Sequence, residues 1–285
     1  MAPSPTSPAP ASPAPTSAPP TRDVPPVDTH VHVFTRALPL VQGRRHSPSG
    51  DFTPDDLFAV TARHGVREIV VVQPSFLGTD NSYLLDALAP APERLRGIVV
   101  VDPGVTDTTL DAYAARGIVG IRLNLLGKDV STVLTPDWMA LLTRVAARGW
   151  QIEIQTEGRA VRPLLDAIVP LGAPVVIDHF GRPDPKLGVD DPGFRRLLAA
   201  GPDGSLFVKI SGSYRCGGAV VAPYARALVD ALGPGRLLWG SDWPHTEHET
   251  IRRYEDGLTE LRSWLTPEQQ AAVAETSRKL FGFAR

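Results

Sequence analysis

Cysteine is all but absent: Cys216 is the only one in 285 residues, so no disulfide within the chain is available, and a lone thiol suits a reducing compartment. An excess of one charge sign is missing too. Lys and Arg number 29 against 31 Asp and Glu, a net charge of −2, with the signs interspersed, which removes the electrostatic footprint of a nucleic-acid or anionic-membrane binder. No apolar run is long enough to span a bilayer. The first strand-like segment leads into Thr35-Arg36-Ala37, without a GxGxxG turn or a Walker A loop, so nucleotide cofactors lose support. The expected partner is a small molecule; neither nucleic acid nor membrane is expected, and the sequence is silent on oligomeric state.

Residues 1–24 are almost wholly Pro, Ala, Ser and Thr. Such a stretch lacks the apolar side chains that offset chain entropy, and it is expected to be disordered or partly polyproline. It has no basic segment followed by an apolar one, so it does not read as a secretory signal, and the expected location is cytoplasmic. Residues 25–285 contain no linker and read as one domain.

That remainder has eight runs rich in Val, Ile and Leu: 27–34, 68–74, 95–102, 119–125, 151–156, 174–180, 206–211 and 236–243. Between them lie expected helices at 54–64 with Thr53 as N-cap, 109–116, 136–148, 160–169, 220–232 and 246–264, and a last helix at 267–281. Gly65, Gly117 and Gly149 supply left-handed caps before the next strand. Eight strand and helix alternations in about 260 residues suit a (β/α)8 TIM barrel better than an open sheet.

In a barrel the C-terminal strand ends face the active site, so polar residues there read as chemistry. In Asp28-Thr29-His30-Val31-His32 the alternation of a strand turns His30 and His32 to one face. Strand two delivers Gln73 and Ser75, strand four Arg122 and Asn124 with Lys128 beyond, strand five Gln155, and strand six His179 with Arg182 following. Strand seven delivers Lys209 or Ser211 with Arg215 nearby, and strand eight Asp242. The candidate catalytic set is His30, His32, His179 and Asp242. Arg122 would point inward near the mouth, where an unpaired guanidinium is costly unless an anion meets it. Together with Lys128, Arg182 and Arg215 it suggests a pocket for an anionic ligand; Arg182 could instead pair with Asp178 or Asp184. Ser75, Asn124 and Gln155 are candidate substrate contacts of lower rank.

The set Asp28-Thr29-His30-Val31-His32, Asp178-His179-Phe180-Gly181-Arg182-Pro183 and Gly240-Ser241-Asp242-Trp243-Pro244-His245 resembles the amidohydrolase superfamily, in its amidohydrolase-2 branch, and within that the lactonases acting on 2-pyrone-4,6-dicarboxylate and related lactones. The resemblance implies a barrel in which the histidines and the aspartate surround a lactone carbonyl. Asp242 would activate water, while His30, His32 and His179 polarise the carbonyl and stabilise the oxyanion. Metal-dependent members take further ligands from a lysine or glutamate on strand four or a histidine on strand five, and the strands here offer no such lysine or histidine. The expectation is therefore no cofactor, with a single zinc or manganese ion held by His30, His32 and Asp242 as the alternative. Carboxylate-holding arginines of the lactonases are roughly matched by Arg122 and Arg215, while Lys128 and Gln155 stand where an arginine and a tyrosine are implied, so the same substrate is not carried over. The expected reaction is hydrolysis of a small anionic, carboxylate-bearing lactone; the alternative is metal-dependent decarboxylation of an aromatic or unsaturated acid.

Overall fold

The computed structural model describes residues 24–202, 204–217 and 220–283. The disorder expected for 1–24 falls outside them, apart from Val24. Eight strands run in parallel in sequence order: β1 (Asp28–Val31), β2 (Ile69–Val72), β3 (Leu95–Val99), β4 (Ile118–Asn124), β5 (Gln151–Gln155), β6 (Val175–Ile177), β7 (Leu206–Ser211) and β8 (Leu237–Gly240). The circle closes where Asp242 N–H donates to His30 C=O at 2.9 Å and His32 N–H donates to Trp243 C=O at 2.8 Å. A short bridge between Val31 and Trp243 accompanies them. The expected (β/α)8 barrel forms, with each strand inside its expected segment to within one residue.

The helices are α1 (Pro54–Arg63), α2 (Ser82–Leu88), α3 (Asp107–Ala115), α4 (Pro136–Ala147), α5 (Gly158–Ile168), α6 (Pro192–Leu198), α7 (Ala222–Leu232), α8 (Tyr254–Trp264) and α9 (Pro267–Phe281). Thr53 caps α1 as expected, its hydroxyl accepting from Asp56 N–H while the Asp56 carboxylate accepts from Thr53 N–H. Two helices lay outside the sequence expectation. Both α2 and α6 span two turns, too short for an apolar stripe to repeat. One expected helix was too long: the segment from Thr246 winds as turns until α8 begins at Tyr254, and Glu247 has φ +72°, which breaks a right-handed helix. Among the described residues no helix is long and apolar enough to cross a membrane.

Side-chain alternation sorts the strands into two faces. Ile69, Val71, Ile121, Leu123, Ile152, Ile154, Val175, Ile177, Val208 and Ile210 pack outward against the helices in the main core. The lower interior holds Val70, Val72, Ile98, Val176, Phe207 and Leu238, closed below by Phe281 and Phe283. Above it the inward positions turn polar, and that change places the site.

Candidate active site

His30 occupies an inward position in β1, fully buried, and His32 follows just past the strand end. The two rings meet edge to face with centroids 5.0 Å apart, and His179 adds a second such contact to His30 at 4.8 Å. Room for His30 comes from Gly240 in the neighbouring β8, since a Cβ there would lie 2.5 Å from the His30 Cβ. His179 opens a short 3-10 turn after β6, at φ +51°, and Asp242 lies two residues past β8 at φ +62°. Such left-handed conformations are uncommon outside glycine and collect where a chain is bent for function. Gly212 makes way for both, because a Cβ there would sit 2.7 Å from His179 Nδ1 and 3.2 Å from Asp242 Oδ2.

The two oxygens of Asp242 have different surroundings. Oδ2 accepts from the Tyr214 hydroxyl at 2.6 Å and from Arg215 Nε. Oδ1 is buried without a hydrogen-bond partner and lies 3.8 Å from both His30 Nε2 and His32 Nε2. Burial alone would raise this carboxyl; the Arg215 guanidinium is the leading influence that overrides it and holds the carboxyl well below its usual range. His32 Nδ1 sits 2.7 Å from Val72 C=O, which can only accept, so the Nδ1 carries the hydrogen and Nε2 offers a lone pair. Burial, aided by Arg122, pushes this imidazole down to about 3, and burial pushes His179 to about 4. Both are neutral near pH 7. His179 Nδ1 meets Ser211 Oγ at 2.9 Å, while its Nε2 is buried and unpartnered.

Beneath lies a charged layer. Arg122 on β4 donates to Asp178 Oδ2 through Nε (3.1 Å) and NH2 (2.8 Å), and Glu153 Oε1 on β5 is 3.5 Å from its Nε. Lys209 on β7, wholly buried, meets Glu153 Oε2 at 2.5 Å, His30 Nδ1 at 2.9 Å and Asp178 Oδ1 at 3.5 Å. The anion that Arg122 requires is thus Asp178, a partner supplied by the fold. Asp178 is in consequence not the partner of Arg182.

A pocket of about 30 Å³, room for about two waters, opens above and is lined by His32, Arg45, His46, Ser75, Arg122, Gln155, His179, Arg215 and Asp242, among others. Of the expected contacts, then, Ser75, Gln155, Arg122 and Arg215 reach it. Asn124 and Lys128 face an adjoining cavity of about 300 Å³ that shares Arg45 and Ser75, and Arg182 faces a groove of about 570 Å³ that shares Arg215. Arg215 is already engaged with Asp242, unlike a free substrate clamp. Among the described residues no carboxylate is within ion-pair distance of Arg45 or Arg182, and the positive fields of Arg182, Arg122 and Arg215 all reach Arg45.

Sequence reasoning passed over Glu153, Tyr214, Arg45 and His46, weighed Asp178 only as a partner of Arg182, and left Lys209 unresolved. A signal existed for Glu153: in Gln151-Ile152-Glu153-Ile154-Gln155 polar residues occupy every inward position of a buried strand. Arg45 and His46 sit in the long loop after β1, where no periodicity operates. For a metal, the ligand atoms of His30, His32 and Asp242, and those of His30, Asp178 and His179, each cluster within 4.8 Å.

The family model for amidohydrolases matches residues 27–283. The chain is 32% identical over 271 residues to a 4-sulfomuconolactone hydrolase of Hydrogenophaga intermedia, covering 90% of this chain and 88% of that one. It is 31% identical over 241 residues to a 2-pyrone-4,6-dicarboxylate hydrolase of Comamonas testosteroni, covering 77% and 76%. A crystal structure described as a probable 2-pyrone-4,6-dicarboxylic acid hydrolase from Acinetobacter baumannii, with citric acid bound, superposes with a TM-score of 0.85 at 34% identity, covering 91% of this chain and 100% of that one. With the family model matched over residues 27–283 and relatives above 30% identity covering most of the chain, the chain belongs to the amidohydrolase family, as a hydrolase of the lactonase-like kind.

Proposed function

We propose that the protein opens a small anionic, carboxylate-bearing lactone by attack of a water activated by Asp242. The observation that carries this reading is the division of labour on one carboxylate: Tyr214 and Arg215 hold Oδ2, leaving Oδ1 buried, ionised and unpaired beside the histidines. A water between Asp242 Oδ1 and the bare His32 Nε2, 3.8 Å apart, can donate one hydrogen to each. As its oxygen bonds to the lactone carbon, the proton passes to Oδ1 and the carbonyl oxygen becomes an oxyanion, polarised by His30 and His179. Collapse breaks the ring C–O bond, the ring oxygen recovers the proton from Asp242, and the product is the open hydroxy acid. The lone pair on His32 Nε2 makes this residue an acceptor for water, so the expected clamp of three histidines divides into an acceptor and two candidates for the oxyanion.

The anionic substrate class is supported by Arg45 and Arg182, which among the described residues have no carboxylate within ion-pair distance, and by the relatives, whose names specify a sulfonated lactone and a dicarboxylated pyrone. The two carboxylates of the latter substrate are not assumed, since Lys128 stands outside the reacting pocket and Arg215 is engaged.

His30, His32 and Asp242 suit a divalent metal in ligand type and spacing. They do not suit it in charge: Arg122 NH2 is 3.4 Å from His30 Nε2, so a dication there would face a guanidinium. The test is turnover of a panel of anionic lactones by the wild type and Asp242→Asn, with elemental analysis of both. A loss of at least about 10³-fold in kcat is expected for the variant, with chelator-resistant activity in the wild type. Full activity of Asp242→Asn would overturn the mechanism. Near one metal per chain with chelator-sensitive turnover, or with release of CO2, would replace it by the mononuclear or decarboxylase reading.

A further inference from the structure

Lys209 is the feature that neither the fold nor the reaction above accounts for. Its ammonium sits inside the barrel with no exposure, where an ion is tolerated only if its charge and hydrogens are matched. Asp178 and Glu153 face Lys209 and Arg122, with burial and the Asp178 charge raising the Glu153 carboxyl to about 8 against the pull of both cations. They do not explain why Nζ also lies 2.9 Å from His30 Nδ1. An ammonium has hydrogens and no lone pair, so this contact is a hydrogen bond only if Nδ1 accepts. A neutral imidazole has one hydrogen, which then resides on Nε2, the nitrogen 3.8 Å from Asp242 Oδ1. The opposite arrangement would have Nδ1 donate to Asp178 Oδ1, 3.3 Å away, or to Glu153 Oε1, 3.4 Å away, yet both oxygens are buried without a hydrogen-bond partner. Arg122 NH2 at 3.4 Å is the longer contact, and its shorter bond at 2.8 Å goes to Asp178 Oδ2.

We infer that Lys209 is a positioning residue that fixes His30 as an Nε2–H donor, opposite in sense to His32. The two histidines of one strand end are set in contrary roles by what lies behind each: an ammonium behind His30, the Val72 carbonyl behind His32. One accepts from the water and the other donates to the developing oxyanion. This last consequence rests on the hydrolase reading; the tautomer does not. It also gives a second reason for the poor fit of a metal, since a protonated Nε2 is not a ligand.

The experiment is long-range 1H–15N correlation spectroscopy of the full chain with 15N-labelled histidine and no substrate, the two rings assigned with His30→Gln and His32→Gln. In the wild type His30 is expected as the Nε2–H tautomer and His32 as Nδ1–H; His30 found as Nδ1–H overturns the inference. In Lys209→Met, His30 is expected to leave the Nε2–H form while His32 keeps its own, whereas an unchanged His30 overturns the role of Lys209. If Lys209→Met does not fold, Lys209→Arg, which keeps a cationic donor, is expected to preserve the wild-type pattern, and loss of the Nε2–H form there counts against it. On any lactone the wild type opens, Lys209→Met is expected to lose about 100-fold in kcat with KM within about threefold. Absence of lactone turnover would sink the hydrolase reading and leave the tautomer result standing.

Discussion

In the lower barrel Val176, Phe207 and Leu238 pack apolar surface against Phe281 and Phe283; two residues further along the same strands stand Asp178, Lys209 and Gly240. The lower layer is stabilised by removal of apolar area from water, and each side chain contributes on its own account. The upper layer, Arg122, Glu153, Asp178, Lys209 and His30, works only as a set, because each buried charge is tolerable through the others. Packing in one layer is thus separable from chemistry, and in the other the same contacts serve both.

The sharpest way to break that comparison is Arg122→Met, which takes from Asp178 its closer cation, leaving Lys209 at 3.5 Å, and uncovers the pocket floor. It is expected to lower stability by about 3–5 kcal/mol in denaturant titration and to abolish turnover together with it. A variant that loses activity at full stability would show the upper layer to be separable after all. Leu238→Ala, fully buried in the lower layer, is expected to cost about 2–5 kcal/mol while kcat/KM of the folded protein stays within about threefold.

The pH dependence sharpens the contrast further. His32 and His179, lowered to about 3 and about 4, stay neutral in the folded chain while their unfolded counterparts take up protons near 6.5. Groups with a lowered folded value give stability that is present above the unfolded value and is lost as pH falls toward the folded one. Tm is therefore expected to decline from about pH 6.5 downward, while kcat/KM stays level down to about pH 5, Asp242 being ionised throughout. Coincident acid limbs would contradict the assignment of neutral histidines. The smallest effect belongs to Lys128→Ala: exposed and outside the reacting pocket, it is expected to change KM by less than about threefold and kcat not at all.

The strands were legible because buried parallel strands demand near-continuous Val, Ile and Leu, and the catalytic candidates were legible because they interrupt such runs at the C-terminal end. Glu153 and Lys209 hide inside the runs. Their meaning depends on which neighbours face them across the barrel, information held by the closure of eight strands and by no single one. Tyr214 was missed for a related reason, since its hydroxyl meets Asp242 only after β7 and β8 are brought side by side. Arg122 was placed correctly near the mouth, but a one-dimensional reading offered an outside anion where the fold supplies Asp178. The segment after Asp242 looked helical by composition, and the positive φ of His245 and Glu247 is set by the turn that carries the aspartate rather than by local propensity.

The strict alternation along β5, β6 and β7 also governs how such a chain can change over time. Insertion or loss of one residue within β7 would exchange Lys209 for Ile210 or Val208, turn an ammonium out into the helix layer, and leave Glu153 and Asp178 facing hydrocarbon. The loops at the mouth, such as residues 35–53, carry no such register. New specificities are accordingly expected to arise by lengthening and recomposing those loops, over strands whose residue count is frozen.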